Sequence, residues 1–245
     1  MSAQEDTFIS HLVELRDRLL RAVVAVVVVF VCLMPWAGDI YDILAHPMMQ
    51  ALPEGTRMIA TGVVTPFFVP MKVTLMVAFV IALPFVLYQA WCFIAPGLYS
   101  HEKRLGLPLI VGSTVLFLAG MAFCYFFVFG TVFAFIAKFA PKSITPAPDI
   151  EQYLSFVMSM FLAFGITFEV PVIVIVLTKL GIVDVSKLKE ARPYVIVGAF
   201  VVAAVVTPPD VVSQLMLAIP MCLLYELGIF LARFVTRSPV NALTE

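Results

Sequence analysis

Long runs of apolar residues dominate the chain, and short polar segments separate them. Six runs fit the roughly 20 mostly apolar residues that a helix needs to cross a bilayer, two of them marginally. They predict transmembrane helices at residues 20–36, 72–93, 104–129, 153–180, 193–207 and 213–234. Composition agrees, because 62% of the residues are hydrophobic and only 13% are charged, whereas a soluble domain carries about 25% charged residues. The pattern therefore predicts an all-α integral membrane protein.

The last two predicted spans are short. Residues 194–206 contain 13 uncharged positions, or roughly 20 Å of helix, which is less than a hydrocarbon core of about 30 Å. Residues 215–225 are also brief before Glu226 interrupts the apolar run. We expect helices five and six to be short and the bilayer to be thinned beside them. The alternative is that flanking polar residues snorkel while both helices span normally.

The distribution of basic residues predicts the orientation. Six spans place both chain ends on one side of the membrane. With the N-terminus inside, eleven lysines and arginines fall in inner segments and four in outer segments. Because cytoplasmic loops carry an excess of Lys and Arg, both termini are predicted to be cytoplasmic.

A single polytopic membrane domain is predicted over residues 1–245. An apolar stripe at helical spacing marks its beginning, formed by Phe8, Leu12, Leu15 and Leu19. We expect this amphipathic helix to turn into the first span. A second amphipathic helix is predicted in the outer segment AGDIYDILAHPMMQAL. The predicted parts are the cytoplasmic N-terminal helix, the six-helix bundle and a short cytoplasmic tail, at residues 1–19, 20–234 and 235–245.

Two acidic residues on the cytoplasmic side need an explanation beyond orientation. Glu14 lies within the N-terminal helix, where Glu14–Arg18 and Asp17–Arg21 are spaced for i,i+4 ion pairs. Glu102 lies in the turn between spans two and three, on the same face of the membrane. Two carboxylates there could bind two guanidinium groups, because arginine presents a planar fork that pairs with carboxylate through two bonds. The alternative is an ordinary charged turn beside a membrane helix.

Glu169 lies deep in the fourth predicted span, next to Pro171. Acidic groups inside a membrane usually face protein or water, and a proline there favours a kink. Glu169 is either a polar site in a cavity or a protonated side chain bonded to a neighbouring helix. Glu226 is closer to the cytoplasmic end of its span and is interpreted as an interfacial residue.

Several stretches together resemble the TatC family, the core subunit of the twin-arginine protein translocase, and the likeness to enterobacterial-type members is close. They are SHLVELRDRL, FIAPGLYSHEKR, YLSFVMSMFLAFGITFEVPV, RPYVIVGAF and TPPDVVSQLMLAIPM, and the likeness extends over residues 8–234. The resemblance implies a curved, glove-like bundle of six helices with two short ones. It implies a bacterial inner-membrane receptor for the twin-arginine signal peptides of folded precursors. It also implies self-association in a multimeric complex, recruitment of the single-span partners TatB and TatA, and transport driven by the proton-motive force.

The resemblance also implies roles for particular residues. In the family, a group at the cytoplasmic face binds the signal peptide, and the matching positions here are Glu14, Arg16, Arg18, Phe93, Leu98 and Glu102. Of these, Glu14 and Glu102 match the acidic residues that bind the arginine pair.

Five further positions match the family elsewhere. Glu169 corresponds to a polar position in the membrane that faces a concave cavity. Thr207 and Gln214 match the positions where partner helices dock. Pro47 and Asp210 fall in periplasmic segments that are linked to function.

Two other function classes compete with export. A proton-coupled small-solute transporter built on Glu169 would need more than one titratable group in the membrane, and only Glu169 qualifies clearly. A haem-bearing membrane anchor would need axial histidines, but His11, His46 and His101 all fall outside the predicted spans. We expect no enzyme activity, cofactor or metal. The net charge of -1 gives no reason to expect nucleic acid.

Overall fold

The computed structural model describes residues 2–52, 57–94, 106–139, 147–207 and 210–235. Within these ranges the regular secondary structure is helical. The β-type pairing among these residues is one isolated bridge between Ile59 and Asp149. The helices are α1 (Ser2–Leu33), a 3-10 turn (Met34–Trp36), α2 (Ala37–Ala51), α3 (Thr65–Ile94), α4 (Gly106–Phe123), a π-helical stretch (Cys124–Val128), α5 (Phe129–Phe139), α6 (Ile150–Lys179), α7 (Val185–Glu190), α8 (Arg192–Val206) and α9 (Val211–Val235). The all-α prediction is confirmed.

Each of the six predicted spans corresponds to a helical segment. Five are long and apolar enough to cross a membrane, namely Leu12–Gln50, Thr65–Phe93, Gly106–Lys138, Ile150–Lys179 and Val211–Phe234. The sixth is the shorter apolar helix α8. The predicted amphipathic helix after the first span is also present, as α2.

The predicted N-terminal helix and first span form one continuous helix, α1, of 32 residues, which contains no proline or glycine that would kink it. One predicted boundary is wrong. Helix α3 starts at Thr65, ahead of the predicted start at Lys72. Lys72 is inside this helix and pairs with Glu151, so its charge does not delay the start of the helix.

Of the two helices predicted to be short, only α8 is. It has 15 residues, or roughly 22 Å of helix. Helix α9 has 25 residues, which corrects the prediction for helix six. Glu226 does not end the apolar segment, because it lies inside α9 and pairs with Arg192 on α8. The third span is also longer than predicted, since the π-helical stretch leads directly into α5.

The chain divides into two compact units. The first contains Met1–Val115 and Thr145–Ser155. In it, α3 packs against both α1 and α2. The packed positions of α3 include Val69, Val73 and Ala78, which are completely buried.

The second unit contains Leu116–Ile144 and Phe156–Glu245. Stacked and tilted phenylalanine rings fill part of its core, where Phe129 packs on Phe133 and Phe161. A separate cluster joins α6, α7 and α9, and its buried members are Val174, Leu188, Tyr225, Ile229 and Ala232. The helices of this unit are therefore held by close apolar packing.

Candidate functional site

The Glu14 carboxylate is held by Arg18, one turn further along α1. Arg18 donates from Nε and Nη2 to the same oxygen, Glu14 Oε1, at 2.9 and 2.5 Å. This confirms the predicted i,i+4 pair. No described residue donates a hydrogen bond to Glu14 Oε2, and 35% of the Glu14 side chain is exposed. Glu14 therefore keeps one oxygen for another donor.

The neighbouring acid does not pair as predicted. Asp17 Oδ1 accepts hydrogen bonds from Arg16 Nε and Nη2 at 3.0 and 2.8 Å, instead of pairing with Arg21. Both side chains are largely exposed, so their pairing is decided by local rotamers and contributes little. Asp17 thus offers an exposed acid close to Glu14 for comparison.

Helix α3 approaches this ion pair near its C-terminal end. The Arg18 side chain also reaches the Cys92 thiol, and the Tyr88 hydroxyl contacts Cys92 one turn away. Arg18 therefore lies where α1 packs against the C-terminal part of α3. From the sequence, Tyr88 and Cys92 were not identified as neighbours of the Glu14 site. Their i,i+4 spacing next to Phe93 could have indicated that they share one face of α3.

The remaining predicted signal-binding residues lie in the last turn of α3 or beyond its end. Phe93 is half-buried in its last turn. Leu98 and Glu102 lie outside the described residues. The structure therefore positions Glu14, Arg16, Arg18 and Phe93, while the pairing of two carboxylates stays a prediction.

Glu169 lies in the middle of α6, within the second unit. It is half-buried, and its Oε1 is shielded from solvent. Pro171 lies inside the same helix, which continues past it. A Cβ placed on Gly228 of α9 would come within 3.0 Å of Pro171 Cα. The Glu169 carboxylate is therefore two residues from a tight contact between α6 and α9.

Thr207 and Gln214, the predicted docking residues, form hydrogen bonds within the α8–α9 hairpin. Thr207 is buried and donates from Oγ1 to Ala203 O at 2.8 Å. Gln214 Nε2 donates to Phe200 O at 3.3 Å and so joins α9 to α8. Both polar side chains stabilise the hairpin itself.

Asp210 caps the start of α9. Its Oδ1 accepts a 2.7 Å hydrogen bond from the Ser213 amide, as an N-cap side chain does. Asp210 Oδ2 and Ser213 Oγ are buried without a hydrogen-bond partner among the described residues. The predicted periplasmic role of Asp210 therefore coincides with a local structural role.

Pro47, the other predicted periplasmic position, lies inside α2 and is half-buried. Helix α2 is fixed by the Tyr153 hydroxyl of α6, which donates to Leu44 O at 2.7 Å. Pro47 thus belongs to a helix that is anchored to the rest of the first unit.

Asp149 connects the segment before α3 to the start of α6. Its Oδ2 accepts hydrogen bonds from the Thr61 hydroxyl at 2.7 Å and the Thr61 amide at 3.1 Å. Its Oδ1 accepts from the amides of Glu151 and Gln152. These bonds, led by the Thr61 hydroxyl, hold the pKa of Asp149 below its ordinary value. Sequence reasoning missed this residue, although Asp149 three residues before Gln152 is an N-cap pattern.

Glu226, interpreted as interfacial, forms an ion pair. Arg192 Nη2 donates to Glu226 Oε2 at 2.7 Å, and both side chains are exposed. The adjacent Tyr225 hydroxyl donates to Leu188 O at 2.8 Å. These bonds tie the beginning of α8, the end of α7 and the middle of α9 together.

Comparisons with known proteins address the identity of the chain. A family model described as "Sec-independent protein translocase protein (TatC)" matches residues 10–220. The Sec-independent protein translocase protein TatC of Escherichia coli (strain K12) is 53% identical over 232 residues, which cover 94% of this chain and 90% of that protein. The protein of the same name from Haemophilus influenzae (strain ATCC 51907 / DSM 11121 / KW20 / Rd) is 53% identical over 231 residues, with 94% and 90% coverage.

A solved structure agrees with these relatives. The crystal structure of the twin arginine translocase receptor TatC matches with a TM-score of 0.81 and 41% sequence identity. The match covers 93% of this chain and 100% of that one. The resemblance noted in the sequence is thereby confirmed, and the chain belongs to the TatC family of Sec-independent protein translocase proteins.

Proposed function

We propose that this protein is the receptor subunit that binds twin-arginine signal peptides of folded precursors at the cytoplasmic face. Glu14 carries the proposal, because it is a partly exposed carboxylate with one oxygen, Oε2, that accepts no bond from a described residue. A receptor for arginine needs such an acceptor, held in place by its neighbours.

The arrangement around Glu14 supports arginine over lysine. A guanidinium group binds a carboxylate through two parallel bonds, whereas an ammonium group acts as a point charge. Arg18 already occupies Oε1. An incoming arginine can bind Oε2 beside Arg18 or take the place of Arg18 on both oxygens. In the second case Arg18 stays close to Cys92 on α3.

We infer that Glu102 supplies the second carboxylate and that Phe93 and Leu98 border the peptide. Phe93 supports this, since it follows Cys92 at the end of α3 and so lies close to the Glu14 site. Arg16 and Arg18 would orient the acidic groups. For this arrangement the N-terminus must be cytoplasmic, which is the orientation that the excess of basic residues in the inner segments favours.

We infer that partner proteins bind at the α8–α9 hairpin and that the partners are the single-span proteins TatB and TatA. Helix α8 has an exposed apolar stripe at helical spacing, formed by Tyr194, Val197, Val201 and Val205. Such a stripe can pack against a helix from another chain. Gln214 could then exchange its long 3.3 Å bond to Phe200 O for a bond to the partner.

The wider transport cycle follows from the same proposal. Several copies of the protein would assemble into one receptor complex in the inner membrane, and the proton-motive force would drive export. Glu169 would form the polar site within the membrane, while Pro47 and Asp210 would act on the periplasmic side. The family match favours this function over a proton-coupled small-solute transporter, because the matched relatives are named as protein translocase proteins.

Crosslinking tests the receptor function directly. Precursors whose signal peptides carry Arg-Arg, Lys-Lys or no basic pair are photo-crosslinked to membranes that contain the protein. We expect the Arg-Arg precursor to give the largest bound fraction. Glu14→Gln and Glu102→Gln should each reduce binding about tenfold, as the loss of a charge-assisted hydrogen bond predicts.

Asp17→Asn is the matched control, because Asp17 lies on the same helix and its ion-pair partner among the described residues is the exposed Arg16. It should bind the Arg-Arg precursor as the wild type does, and all variants should insert into the membrane equally. A bound fraction that ignores the basic pair would contradict the receptor function. Wild-type binding by both Gln variants would instead contradict the assignment of the two carboxylates.

A further inference from the structure

A cavity in the first unit lies apart from the residues discussed so far. Its volume is about 520 Å³, within the range of about 300–1,000 Å³ that is usual for small-ligand sites. It is bordered by α2, by the segment after residue 57, by the first turns of α3 and by the first residue of α6. Its apolar wall includes Met49, Met58, Pro66, Pro70 and Ile150.

Three polar side chains that line this cavity have no hydrogen-bond or ion-pair partner among the described residues. The Tyr41 hydroxyl is buried and has no hydrogen-bond partner among the described residues. Asp42 and Arg57 also line the cavity, and no described residue forms an ion pair with either of them. Buried polar groups are nearly always hydrogen-bonded, so the buried Tyr41 hydroxyl is expected to have a partner. Asp42 and Arg57 are exposed and present opposite charges at the same cavity. A hydroxyl donor, a cation and an anion around one cavity fit a ligand that has both charges.

The position of the cavity matches the level of lipid headgroups. Trp36, at the end of the first span, is exposed, and tryptophan is enriched where the bilayer meets water. The cavity begins within two turns of this residue, at Tyr41. On its other side Pro66 and Pro70 belong to the start of the second span. A ligand here would meet water at its polar end and apolar side chains at its other end.

We propose that this cavity binds the headgroup of a zwitterionic phospholipid of the phosphoethanolamine type. The Arg57 guanidinium and the Tyr41 hydroxyl would donate to the phosphate, with His46 at the rim. The Asp42 carboxylate would accept hydrogen bonds from the primary ammonium group. Met49, Met58 and Ile150 would contact the first carbons of the acyl chains.

The charges distinguish this ligand from the other common headgroups. An anionic headgroup without an ammonium group could pair with Arg57 but would leave Asp42 without a cation. A choline headgroup carries a cation that cannot donate a hydrogen bond to Asp42. The phosphoethanolamine headgroup can bind Tyr41, Asp42 and Arg57 together. This proposal does not depend on the proposed binding of signal peptides.

Native mass spectrometry of the purified full-length protein tests the proposal. Delipidated protein in detergent is titrated with phosphatidylethanolamine, phosphatidylcholine or phosphatidylglycerol that carry identical acyl chains. A fourth titration uses glycerophosphoethanolamine, which has the headgroup without the chains. We expect phosphatidylethanolamine to bind at least about tenfold more tightly than phosphatidylglycerol, as one charge-assisted hydrogen bond predicts. Glycerophosphoethanolamine should bind far more weakly than the intact lipid.

Variants connect the preference to the cavity. Arg57→Gln should weaken phosphatidylethanolamine binding at least about tenfold, and Asp42→Asn should abolish its advantage over phosphatidylglycerol. Tyr41→Phe removes a single oxygen and should weaken binding about threefold, so the test stands even if a charge variant does not fold. Asp39→Asn is the control, because Asp39 is an exposed acid on the same helix that does not line the cavity.

Three results would overturn the proposal. The first is equal binding of the three lipids by the wild-type protein. The second is wild-type lipid preference in Arg57→Gln, Asp42→Asn and Tyr41→Phe. The third is glycerophosphoethanolamine binding as tightly as the intact lipid, which would assign the cavity to a soluble phosphate ester.

Discussion

Gly120 on α4 lies at a close approach of α4 to α6 within the second unit. A Cβ atom at this position would be 2.6 Å from Phe164 O and 2.9 Å from Phe168 Cγ. Ordinary contacts of such an atom begin at 3.4 Å. Because Phe164 O belongs to the backbone of α6, it cannot move away without moving the helix. Small residues allow such close approach in membrane helix pairs.

The expected cost of Gly120→Ala follows from two opposing terms. Forcing one methyl group into a packed interior costs about 1–3 kcal/mol. The higher helix propensity of alanine stabilises the folded protein by up to about 1 kcal/mol. We therefore expect a net loss of roughly 1–2 kcal/mol in the free energy of unfolding. Gly112→Ala on the same helix is the control, because no atom lies within 4 Å of its added Cβ; it should be neutral or slightly stabilising.

Cys124 offers a direct readout of unfolding, since it is fully buried immediately after α4. The other three cysteines are replaced by alanine, and a thiol-reactive dye is followed as the detergent-solubilised protein is heated. A change of 1 kcal/mol shifts the Tm of a chain of this size by about 2–4 °C, so Gly120→Ala should unfold several degrees below Gly112→Ala. Equal Tm values for the two variants would refute the close approach of α4 to α6.

Two further predictions concern acidic residues. The pKa of Asp149 is lowered by its bonds to Thr61 and to the α6 amides. The ionised carboxylate therefore stabilises the folded protein fully above the ordinary carboxyl pKa of 3.8. This stabilisation is lost as the pH falls through the lower pKa of the folded state. Amide exchange of Thr61, corrected for its intrinsic rate, should accelerate below that pH in the wild type and lose this dependence in Asp149→Asn; identical profiles would contradict the role of the carboxylate. Glu169→Gln should preserve export in a precursor-transport assay and Glu169→Lys should abolish it, because an amide can remain neutral within the membrane. Equal loss of export in both variants would instead indicate that Glu169 titrates.

Local features were predictable from the chain alone. The apolar segments predicted six membrane helices, because the length of an apolar run is a local property that can be compared directly with the thickness of the bilayer. The amphipathic pattern after the first span identified α2. The Glu14–Arg18 pair was also predictable, since residues four apart lie on one face of a helix. The family resemblance in the quoted stretches was confirmed by the comparisons.

Contacts between distant segments were decided only by the tertiary structure. Asp149 and Thr61 are 88 residues apart in the chain, and Glu226 and Arg192 are 34 apart. The residue pattern within each segment does not show which distant residue will be the partner. The second pair gives Glu226 a partner inside α9, which the sequence could not show when it placed the end of the apolar segment at this residue.

The chain by itself therefore determined which segments enter the membrane, which side chains repeat along each helix, and which family the protein resembles. Only the tertiary structure placed Cys92 and Tyr88 against Arg18, brought Gly120 against the backbone of α6, and gathered Tyr41, Asp42 and Arg57 around one cavity. The physical reason is that hydropathy and helical spacing act over a few turns. Packing, by contrast, depends on which helices meet and on the register in which they meet.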